Sequence, residues 1–507
     1  MAKQEMQKLA KDTAIYGVSS ILGKFLNFLL VPIYTRVLKE TGDYGIVTNL
    51  YAYTALLLVI LTYGMETGFF RFANKNRDEA DKVFSTILTC VTFTSLIFIF
   101  VCVVFGQPIA NALSYGSNPE YIRMLAIVVA MDAIGSIPFA YLRYKNRPVK
   151  FAALKMVMIS TNIIFNLFFL IACPWLMKTA PALIDWFYKP DYGVGYVFVA
   201  NLISTSIVTI ALLPDILRVK FEFDGALLKK ILRYSLPLLA LGIAGIMNQT
   251  LDKIIFPAFF DDKDFAQSEL GIYGACFKLS MIMMMFTQAF RYAYEPFVFA
   301  QHKDKNSKEA YADATKYYMI FSLLIFLGMV FYMDILKYLI KDTYWSGLRV
   351  VPVVLWAYIF QGLFFNLSLW YKLLDKTIYG TWFTIVGLSV TLIFNIVLVP
   401  KISYMGSAWA SFACYFVMML LSYFIGQKHM PINYDLKTMG LYTVVTLALY
   451  GLSFLVQSRY LVVNLAYRTV LLILFIILMV KRDFPLSEIP IVKKFVKPRN
   501  QDLEKKD

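Results

Sequence analysis

Charged side chains occur inside stretches of this sequence that are otherwise apolar. The stretch SSILGKFLNFLL, residues 19–30, carries Lys24 near the middle of a run long enough to cross a bilayer. A lysine at mid-bilayer costs at least about 2.5 kcal/mol, so it is expected to face a partner or a wet cavity. A helical rotation of about 100° per residue puts its polar neighbours on one stripe, made of Tyr16, Ser20, Lys24, Asn27 and Tyr34. Lys24 is therefore predicted to line a cavity or a helix interface, with Asn27 in support.

Other candidate intramembrane charges include more bases than acids. The bases are Lys155, Lys253, Lys278 and Arg291 beside Lys24, and the acids are Asp132, Asp252 and Glu295. A cavity with this excess of bases would bind an anion, and the acids would support it or couple it to an ion. Structural interpretations stay open: Asp252 and Lys253 could pair with other helices, Arg291 and Glu295 could form an i,i+4 ion pair, and Lys278 could reach an interface.

The sequence lacks the residue patterns of common catalytic and metal sites. The five cysteines show no CxxC spacing, and the two histidines, His302 and His429, lie in polar connectors. The glycines before Lys24 do not have the spacing of a phosphate-binding loop. We therefore expect no metal, no cofactor and no enzymatic activity. Transport would depend on an ion gradient, the membrane potential or the gradient of the substrate.

Long apolar runs must position these charges. Of the 507 residues 59% are hydrophobic and only 16% are charged, and the mean hydropathy is +0.63. A soluble domain has about 25% charged residues. The pattern predicts an all-α polytopic membrane protein with about fourteen transmembrane helices. The predicted spans are 13–38, 44–64, 83–105, 121–142, 151–173, 192–214, 232–259, 270–299, 315–340, 348–370, 379–399, 405–426, 438–456 and 460–480.

The distribution of Lys and Arg among the connectors predicts the orientation. With the N-terminus inside, connectors and tails on that side carry about 32 Lys and Arg, against roughly 8 on the other side. Both termini are therefore expected in the cytoplasm. The formal net charge of +16 is spread over many short loops, which argues against nucleic-acid binding.

Two landmarks recur at the same interval along the chain. Tyr44-Gly45 returns as Tyr273-Gly274, and Ile164-Phe165-Asn166 returns as Ile393-Phe394-Asn395. This predicts two six-helix lobes related by an internal repeat, with the substrate site at their interface. The predicted divisions are 1–220, 221–430, a C-terminal helix pair at 431–480 and a basic cytoplasmic tail at 481–507.

Three segments resemble a known family. LGKFLNFLLVPIYTRVLKETGDYG (22–45), YGMETGFFRFAN (63–74) and FNIVLVPKISYMGSAWAS (394–411) are similar to segments of bacterial polysaccharide-biosynthesis membrane proteins. These are the O-antigen and capsule lipid-linked oligosaccharide flippases, in the multidrug/oligosaccharidyl-lipid/polysaccharide exporter superfamily.

The resemblance implies a function and a location. A flippase of this kind moves an undecaprenyl-pyrophosphate-linked oligosaccharide across the bacterial cytoplasmic (inner) membrane by alternating access. Its partners would be that glycan lipid, membrane lipids and a polysaccharide polymerase. The cationic cavity residues would then hold the pyrophosphate.

Two alternatives make different demands on the sequence. A cation-coupled multidrug or metabolite exporter of the same fold would need acids to dominate its cavity. A glycan polymerase or transferase would need a large outer loop with catalytic residues, and the longest outer connector here, 174–191, is short.

Overall fold

The chain folds into helices joined by short connectors. In this computed structural model, the described residues are 17, 21–75, 77–301 and 307–484, and every regular element among them is helical. The prediction of an all-helical polytopic membrane protein is confirmed. The helices are α1 (21–28), α2 (Val31–Val37), α3 (Thr41–Thr62), α4 (Met65–Lys75), α5 (Ala80–Val104), α6 (Gly106–Ala112), α7 (Pro119–Tyr144), α8 (Pro148–Leu167), α9 (Cys173–Thr179), α10 (Val194–Leu217), α11 (Gly225–Ile255), α12 (Lys263–Leu279), α13 (Met281–Gln301), α14 (Ser307–Phe331), α15 (Met333–Leu336), α16 (Val350–Leu367), α17 (Leu369–Leu373), α18 (Ile378–Ile402), α19 (Tyr404–His429), α20 (Leu436–Leu452) and α21 (Leu461–Arg482).

The number of membrane spans is smaller than expected when only the described residues are counted. Among them, 11 helices are long and apolar enough to cross a membrane, and up to 12 if α12 and the bent helix after it form one span with a bend of 43°. Helix α20 is apolar but has only 17 residues. The predicted first span, 13–38, falls partly outside the described residues and contains a break between α1 and α2. The count of fourteen stays a prediction.

The chain divides into two compact units by internal contacts. The first comprises Met1–Ala300 and Leu339–Met430, and the second comprises Gln301–Tyr338 and Pro431–Asp507. These units are defined by contacts between helices, and their bounds differ from the two lobes predicted from the sequence repeat. The two six-helix lobes therefore stay a prediction. Within the second unit, α14 packs against α20 and α21, and Arg468 of α21 bonds Asp334 at 2.6 Å.

Acidic side chains cap the start of several helices in the first unit. Asp224 caps α11 by accepting a hydrogen bond from the Leu227 amide at 3.0 Å. A capping box at Glu40 and Asp43 begins α3. These caps satisfy amides at the helix ends that have no partner within the helix.

The asparagines of the two sequence landmarks have matching local environments. Asn166 and Asn395 are both fully buried. The Tyr34 hydroxyl donates to Asn166 Oδ1 at 2.9 Å, and the Ser407 hydroxyl donates to Asn395 Oδ1 at 2.9 Å. Each asparagine also donates from Nδ2 to the carbonyl four residues earlier in its helix. Both amides therefore join an apolar helix to a neighbouring helix through a buried polar contact.

Helices α3 and α12 pack backbone against backbone near their N-terminal ends. A Cβ atom added to Gly45 would lie 1.9 Å from the Gln267 carbonyl oxygen, and one added to Gly271 would lie 1.9 Å from the Thr41 carbonyl oxygen. Only glycine permits this approach. We call this contact the α3–α12 crossing.

A buried chain of hydrogen bonds leads away from the α3–α12 crossing. Gln267 Nε2 donates to the Tyr115 hydroxyl at 2.9 Å, and that hydroxyl donates to Asn49 Oδ1 at 2.8 Å. Asn49 Nδ2 in turn donates to the Lys253 carbonyl at 2.7 Å. The crossing is therefore connected through polar side chains to a helix that lines the cavity described next.

Candidate functional site

A cavity of about 720 Å³ lies within the first unit. We call it the central cavity. Helices α1, α2, α3, α8, α10, α11, α12, α13, α16 and α19 contribute to its wall. Five of the predicted site residues line it, namely Lys24, Asn27, Lys155, Lys253 and Lys278. The described residues that line it include four lysines and no Asp or Glu.

Lys24 lies on the face of α1 that meets this cavity. On the opposite side, Leu22, Phe25 and Leu29 are 41%, 45% and 44% exposed, as suits a face toward lipid. Lys24 is half-buried, and it makes no hydrogen bond or ion pair with another described residue. Its ammonium group is therefore available to a ligand, although its binding role stays a prediction.

Lys278 has the same kind of environment on α12. It makes no ion pair with any carboxylate of the described residues, and the nearby charges of Lys253 and Lys24 repel its ammonium group. An anion in the central cavity would relieve this repulsion. Lys24 and Lys278 are therefore the two lysines of the cavity whose positive charge has no acidic partner among the described residues.

Lys253 differs because it already has a carboxylate partner. Its Nζ lies 3.0 Å from both carboxylate oxygens of Asp252 and 3.1 Å from the Gln249 carbonyl oxygen. The Tyr273 hydroxyl donates to Asp252 Oδ2 at 2.6 Å, and the Lys253 ammonium lies 3.9 Å from the centre of the Phe277 ring. The two charges thus pair with each other within α11, whereas the interpretation left open by the sequence was a pairing with other helices; the contact to another helix is the hydrogen bond from Tyr273 of α12. An anion would have to compete with Asp252 for Lys253.

Lys155 and Asp132 both line a second pocket beside the central cavity. Lys155 lines both spaces, and its Nζ lies 4.2 Å from the centre of the Phe139 ring. Asp132 lines only the second pocket. The two groups make no ion pair within 4.0 Å among the described residues.

Arg291 and Glu295 are not among the residues that line the central cavity. Arg291 Nε lies 3.0 Å from Glu295 Oε1, and Lys372 Nζ lies 2.8 Å from the same oxygen. The Arg291 guanidinium also lies over the Phe365 ring, 4.9 Å from its centre. Arg291 and Glu295 thus form the i,i+4 ion pair that the sequence analysis left open as an interpretation. Lys372 joins this pair, and the sequence analysis did not single it out.

Neutral polar side chains make up much of the cavity wall and were also missed. Asn162, Asn201, Gln249 and Ser411 line it together with several tyrosines. These side chains carry no charge, so the charged residues of the sequence do not indicate them. The i,i+4 pair Asn162 and Asn166 in an otherwise apolar helix did indicate a polar face on that helix. Such groups can bond phosphate oxygens or sugar hydroxyls.

Metal ligands do not cluster in the part of the chain that the structure describes. No group of three or more His, Cys, Asp or Glu side chains there could hold a metal ion. The described residues that line the cavity offer ammonium groups, amides and hydroxyls for binding.

Comparisons with known proteins give a family and a fold. A family profile described as "Polysaccharide biosynthesis protein" matches residues 9–298, more than half of the chain. No curated protein matches in sequence.

Several solved structures share the fold. A lipid II flippase MurJ in an inward closed conformation has a TM-score of 0.72 at 14% identity, covering 93% of this chain and 98% of that one. A multidrug resistance MATE family transporter of the MOP superfamily, in an inward-facing conformation, has a TM-score of 0.64 at 12% identity, covering 80% and 94%. The MATE multidrug transporter DinF-BH has a TM-score of 0.60 at 16% identity, covering 83% and 95%. At these identities the likeness establishes the fold alone.

Proposed function

The chain belongs to the polysaccharide biosynthesis protein family, and from that premise we propose that it is a flippase for a lipid-linked oligosaccharide. It is a transporter and not an enzyme. The cargo we propose is an undecaprenyl-pyrophosphate-linked glycan for O-antigen or capsule assembly, which moves by alternating access. The observation that carries the proposal is the lining of the central cavity by lysines with no Asp or Glu among its described residues.

The charge of the cavity suits a pyrophosphate group. Lys24 and Lys278 lack acidic partners among the described residues, so a pyrophosphate with about two negative charges would meet two free ammonium groups. Lysine binds phosphate as a point charge on a flexible stem, which permits release as well as capture. Lys253 and Lys155 would add charge once they leave their present neighbours. We propose Asn27 as a supporting hydrogen-bond donor.

The topology proposed for this function extends the coarser finding of a multi-pass membrane protein. We propose about fourteen spans in two six-helix lobes plus a C-terminal helix pair, with both termini in the cytoplasm. The location is the bacterial inner membrane, and the partners are the glycan lipid, membrane lipids and a polymerase. An ion gradient or the membrane potential would drive the cycle.

A cation-coupled multidrug exporter is the second candidate, because MATE transporters share the fold. That function would need acids in the central cavity to bind cationic drugs. The described residues of its wall do not include any, and Asp132 lies in the neighbouring pocket. The lining therefore favours the anionic cargo.

Export of surface glycan tests the proposal directly. In a strain that lacks the gene, Lys24→Gln and Lys278→Gln should each reduce export, and the double variant should leave lipid-linked glycan on the cytoplasmic side. The loss of one charge-assisted bond, about 1.5–3 kcal/mol, corresponds to roughly 10- to 150-fold in affinity. The matched control is Lys220→Gln, which removes a lysine side chain that is 87% exposed and not part of the cavity. Unchanged export in the double variant at wild-type protein levels would refute the assignment.

A further inference from the structure

Neutral polar side chains cover one part of the wall of the central cavity. They are Tyr51 of α3, Asn162 of α8, and Asn201 and Ser204 of α10. Asn201 Nδ2 lies 3.3 Å from the Tyr51 hydroxyl oxygen, and Ser204 follows Asn201 by one turn on the same face of α10. Helices α8 and α10 pack against each other. We call these four residues the polar wall.

The Asn162 side chain is held at one end and free at the other. Asn166 Nδ2 donates to the Asn162 carbonyl oxygen at 2.8 Å and to Asn162 Oδ1 at 3.1 Å. The Tyr34 hydroxyl holds the other end of the Asn166 amide, since it donates to Asn166 Oδ1 at 2.9 Å. Asn162 Nδ2 has no acceptor among the described residues. Its two N–H groups therefore remain as donors for a ligand in the cavity.

The pair of Tyr51 and Asn201 offers both a donor and an acceptor. Because Asn201 Nδ2 donates to the Tyr51 hydroxyl, the Tyr51 proton and Asn201 Oδ1 are without a partner among the described residues. With the Asn201 amide turned the other way, its NH₂ group and the lone pairs of Tyr51 would remain, so the pair keeps a donor and an acceptor in either arrangement. Ser204 adds an acceptor, because it gives its hydroxyl proton to the Asn201 carbonyl at 2.9 Å.

Asn248 of α11 supplies an independent sign of a missing ligand. It lines the central cavity and is 5% exposed. Its Nδ2 donates to the Thr384 carbonyl at 3.1 Å, whereas its Oδ1 has no hydrogen-bond partner among the described residues. A buried carbonyl oxygen almost always has a donor. The ionised oxygens of a pyrophosphate only accept hydrogen bonds, so the missing donor belongs to a different part of the ligand.

The polar wall lies close to Lys24. Gly23 of α1 packs against Ile159 of α8, since a Cβ atom added to Gly23 would lie 2.7 Å from Ile159 Cδ1. Asn162 follows Ile159 by three residues, a rise of about 4.5 Å along α8, and both residues line the cavity. The backbone of Lys24, next to Gly23, is therefore about one helical turn from the level of Asn162. A ligand group that is bonded directly to an anion at Lys24 would meet the polar wall.

We infer that the polar wall binds the sugar ring that is joined directly to the pyrophosphate, an assignment that rests on the proposed function. Each hydroxyl of a sugar can donate and accept at once, which matches the mixed donors and acceptors of Asn162, Tyr51 and Asn201. A phosphate group only accepts and an ammonium group only donates, so neither could use both kinds of partner. The pyrophosphate would lie at Lys24 and Lys278, and a sugar hydroxyl would donate to Asn248 Oδ1.

Binding of short synthetic lipids to the purified full-length protein tests this sugar site. Three probes are farnesyl pyrophosphates that carry glucose, galactose or N-acetylglucosamine on the second phosphate. The fourth probe carries a cyclohexyl group there, which keeps the charge and the ring size but has no hydroxyl. One hydrogen bond changes affinity by about two- to ten-fold. With several such bonds, the wild type should bind at least one glycosyl lipid about five-fold more tightly than the cyclohexyl lipid, or better.

Variants of the polar wall separate sugar binding from pyrophosphate binding. Tyr51→Phe and Asn162→Leu should each lower the preference for the glycosyl lipid by about two- to ten-fold and leave the affinity for the cyclohexyl lipid unchanged. Lys24→Gln should weaken both kinds of lipid by the same factor and keep the preference. Tyr460→Phe, which changes a tyrosine that is 72% exposed, is the matched control. Asn162→Leu is the decisive variant if Tyr51→Phe does not fold.

The possible failures of the sugar site and of the proposed function are distinct. Equal affinity of the wild type for the cyclohexyl lipid and all three glycosyl lipids would overturn the sugar site, while the binding of a pyrophosphate lipid would still support the proposed function. A preference for sugar that persists in both Tyr51→Phe and Asn162→Leu would refute the assignment to the polar wall. If the wild type binds none of the four lipids, the proposed function and the sugar site fail together.

Discussion

Replacement of Gly45 by alanine should force the α3–α12 crossing apart. The added Cβ would lie 1.9 Å from the Gln267 carbonyl oxygen, whereas ordinary contact begins at 3.4 Å, so the two helices must separate by about 1.5 Å. The contact is with backbone, so no side chain can rotate away. Overpacking of this kind costs about 1–3 kcal/mol. The same shift would strain the hydrogen bonds from Gln267 through Tyr115 to Asn49.

The chain offers a matched control for this substitution. A Cβ at Gly245 of α11 would have open space around it, so Gly245→Ala should be neutral or stabilise by up to about 1 kcal/mol through helix propensity. The measurement is the free energy of unfolding of both variants in the same detergent. The Thr41 and Ser268 hydroxyls contact each other across the crossing. Disulfide formation in a Thr41→Cys/Ser268→Cys variant would therefore report the separation of the two helices. The close backbone packing would be refuted by two results together. Gly45→Ala would be as stable as Gly245→Ala, and its disulfide would form as readily as in the same double-cysteine variant that keeps Gly45.

Three further predictions concern buried and capping contacts. Lys253→Met should destabilise the protein by about 3–5 kcal/mol, because it leaves the Asp252 carboxylate buried without the ammonium group that pairs with it. The Asp252→Asn/Lys253→Met double variant should recover part of that loss, as measured by a double-mutant cycle of unfolding free energies. Asn395→Ala should cost about 1–3 kcal/mol in the same assay, since the buried Ser407 hydroxyl loses its acceptor, and a loss below about 0.5 kcal/mol, the range of ordinary surface substitutions, would contradict this. Hydrogen bonds from the Lys82 ammonium and the Leu227 amide lower the pKa of Asp224 from its ordinary value of 3.8 to about 2. The Asp224 carboxylate therefore stabilises the folded protein above pH 3.8, and this stabilisation is lost as the pH falls toward 2. Asp224→Asn should therefore be less stable than the wild type at neutral pH, and the difference should shrink on acidification; a constant difference would contradict the ion pair.

The helical membrane fold could be read from the sequence because it depends on local composition. Long apolar runs must satisfy their backbone hydrogen bonds within the bilayer, and a helix does so within its own segment. The stripe that carries Lys24 and Asn27 was readable for a similar reason, since helical geometry alone determines which residues share a face. Pro32 marks the break between α1 and α2 in the sequence, because it lies in the first turn of α2 and has no N–H to continue the hydrogen bonding of α1.

The candidate site could be read only in part. Lys278 and Arg291 lie on successive helices with similar surroundings in the sequence, yet Lys278 lines the central cavity and Arg291 pairs with Glu295. The bend of 43° between α12 and the helix that follows, and the rotation of each helix in its packing, make this difference. Neutral amides such as Asn201 carry too weak a signal in the sequence to separate cavity-lining from buried positions.

By itself the sequence determined that the chain is helical, that it enters a membrane and that its apolar segments carry more bases than acids. Those properties follow from residue types and from the 3.6-residue period of a helix, which need no tertiary contact. Only the tertiary structure decided that Asp252 neutralises Lys253, that Lys24 and Lys278 lack such a partner among the described residues, and that Asp132 lies in a pocket of its own. The physical reason is that electrostatic compensation depends on distances of about 3–4 Å between charged atoms, and helix packing sets those distances.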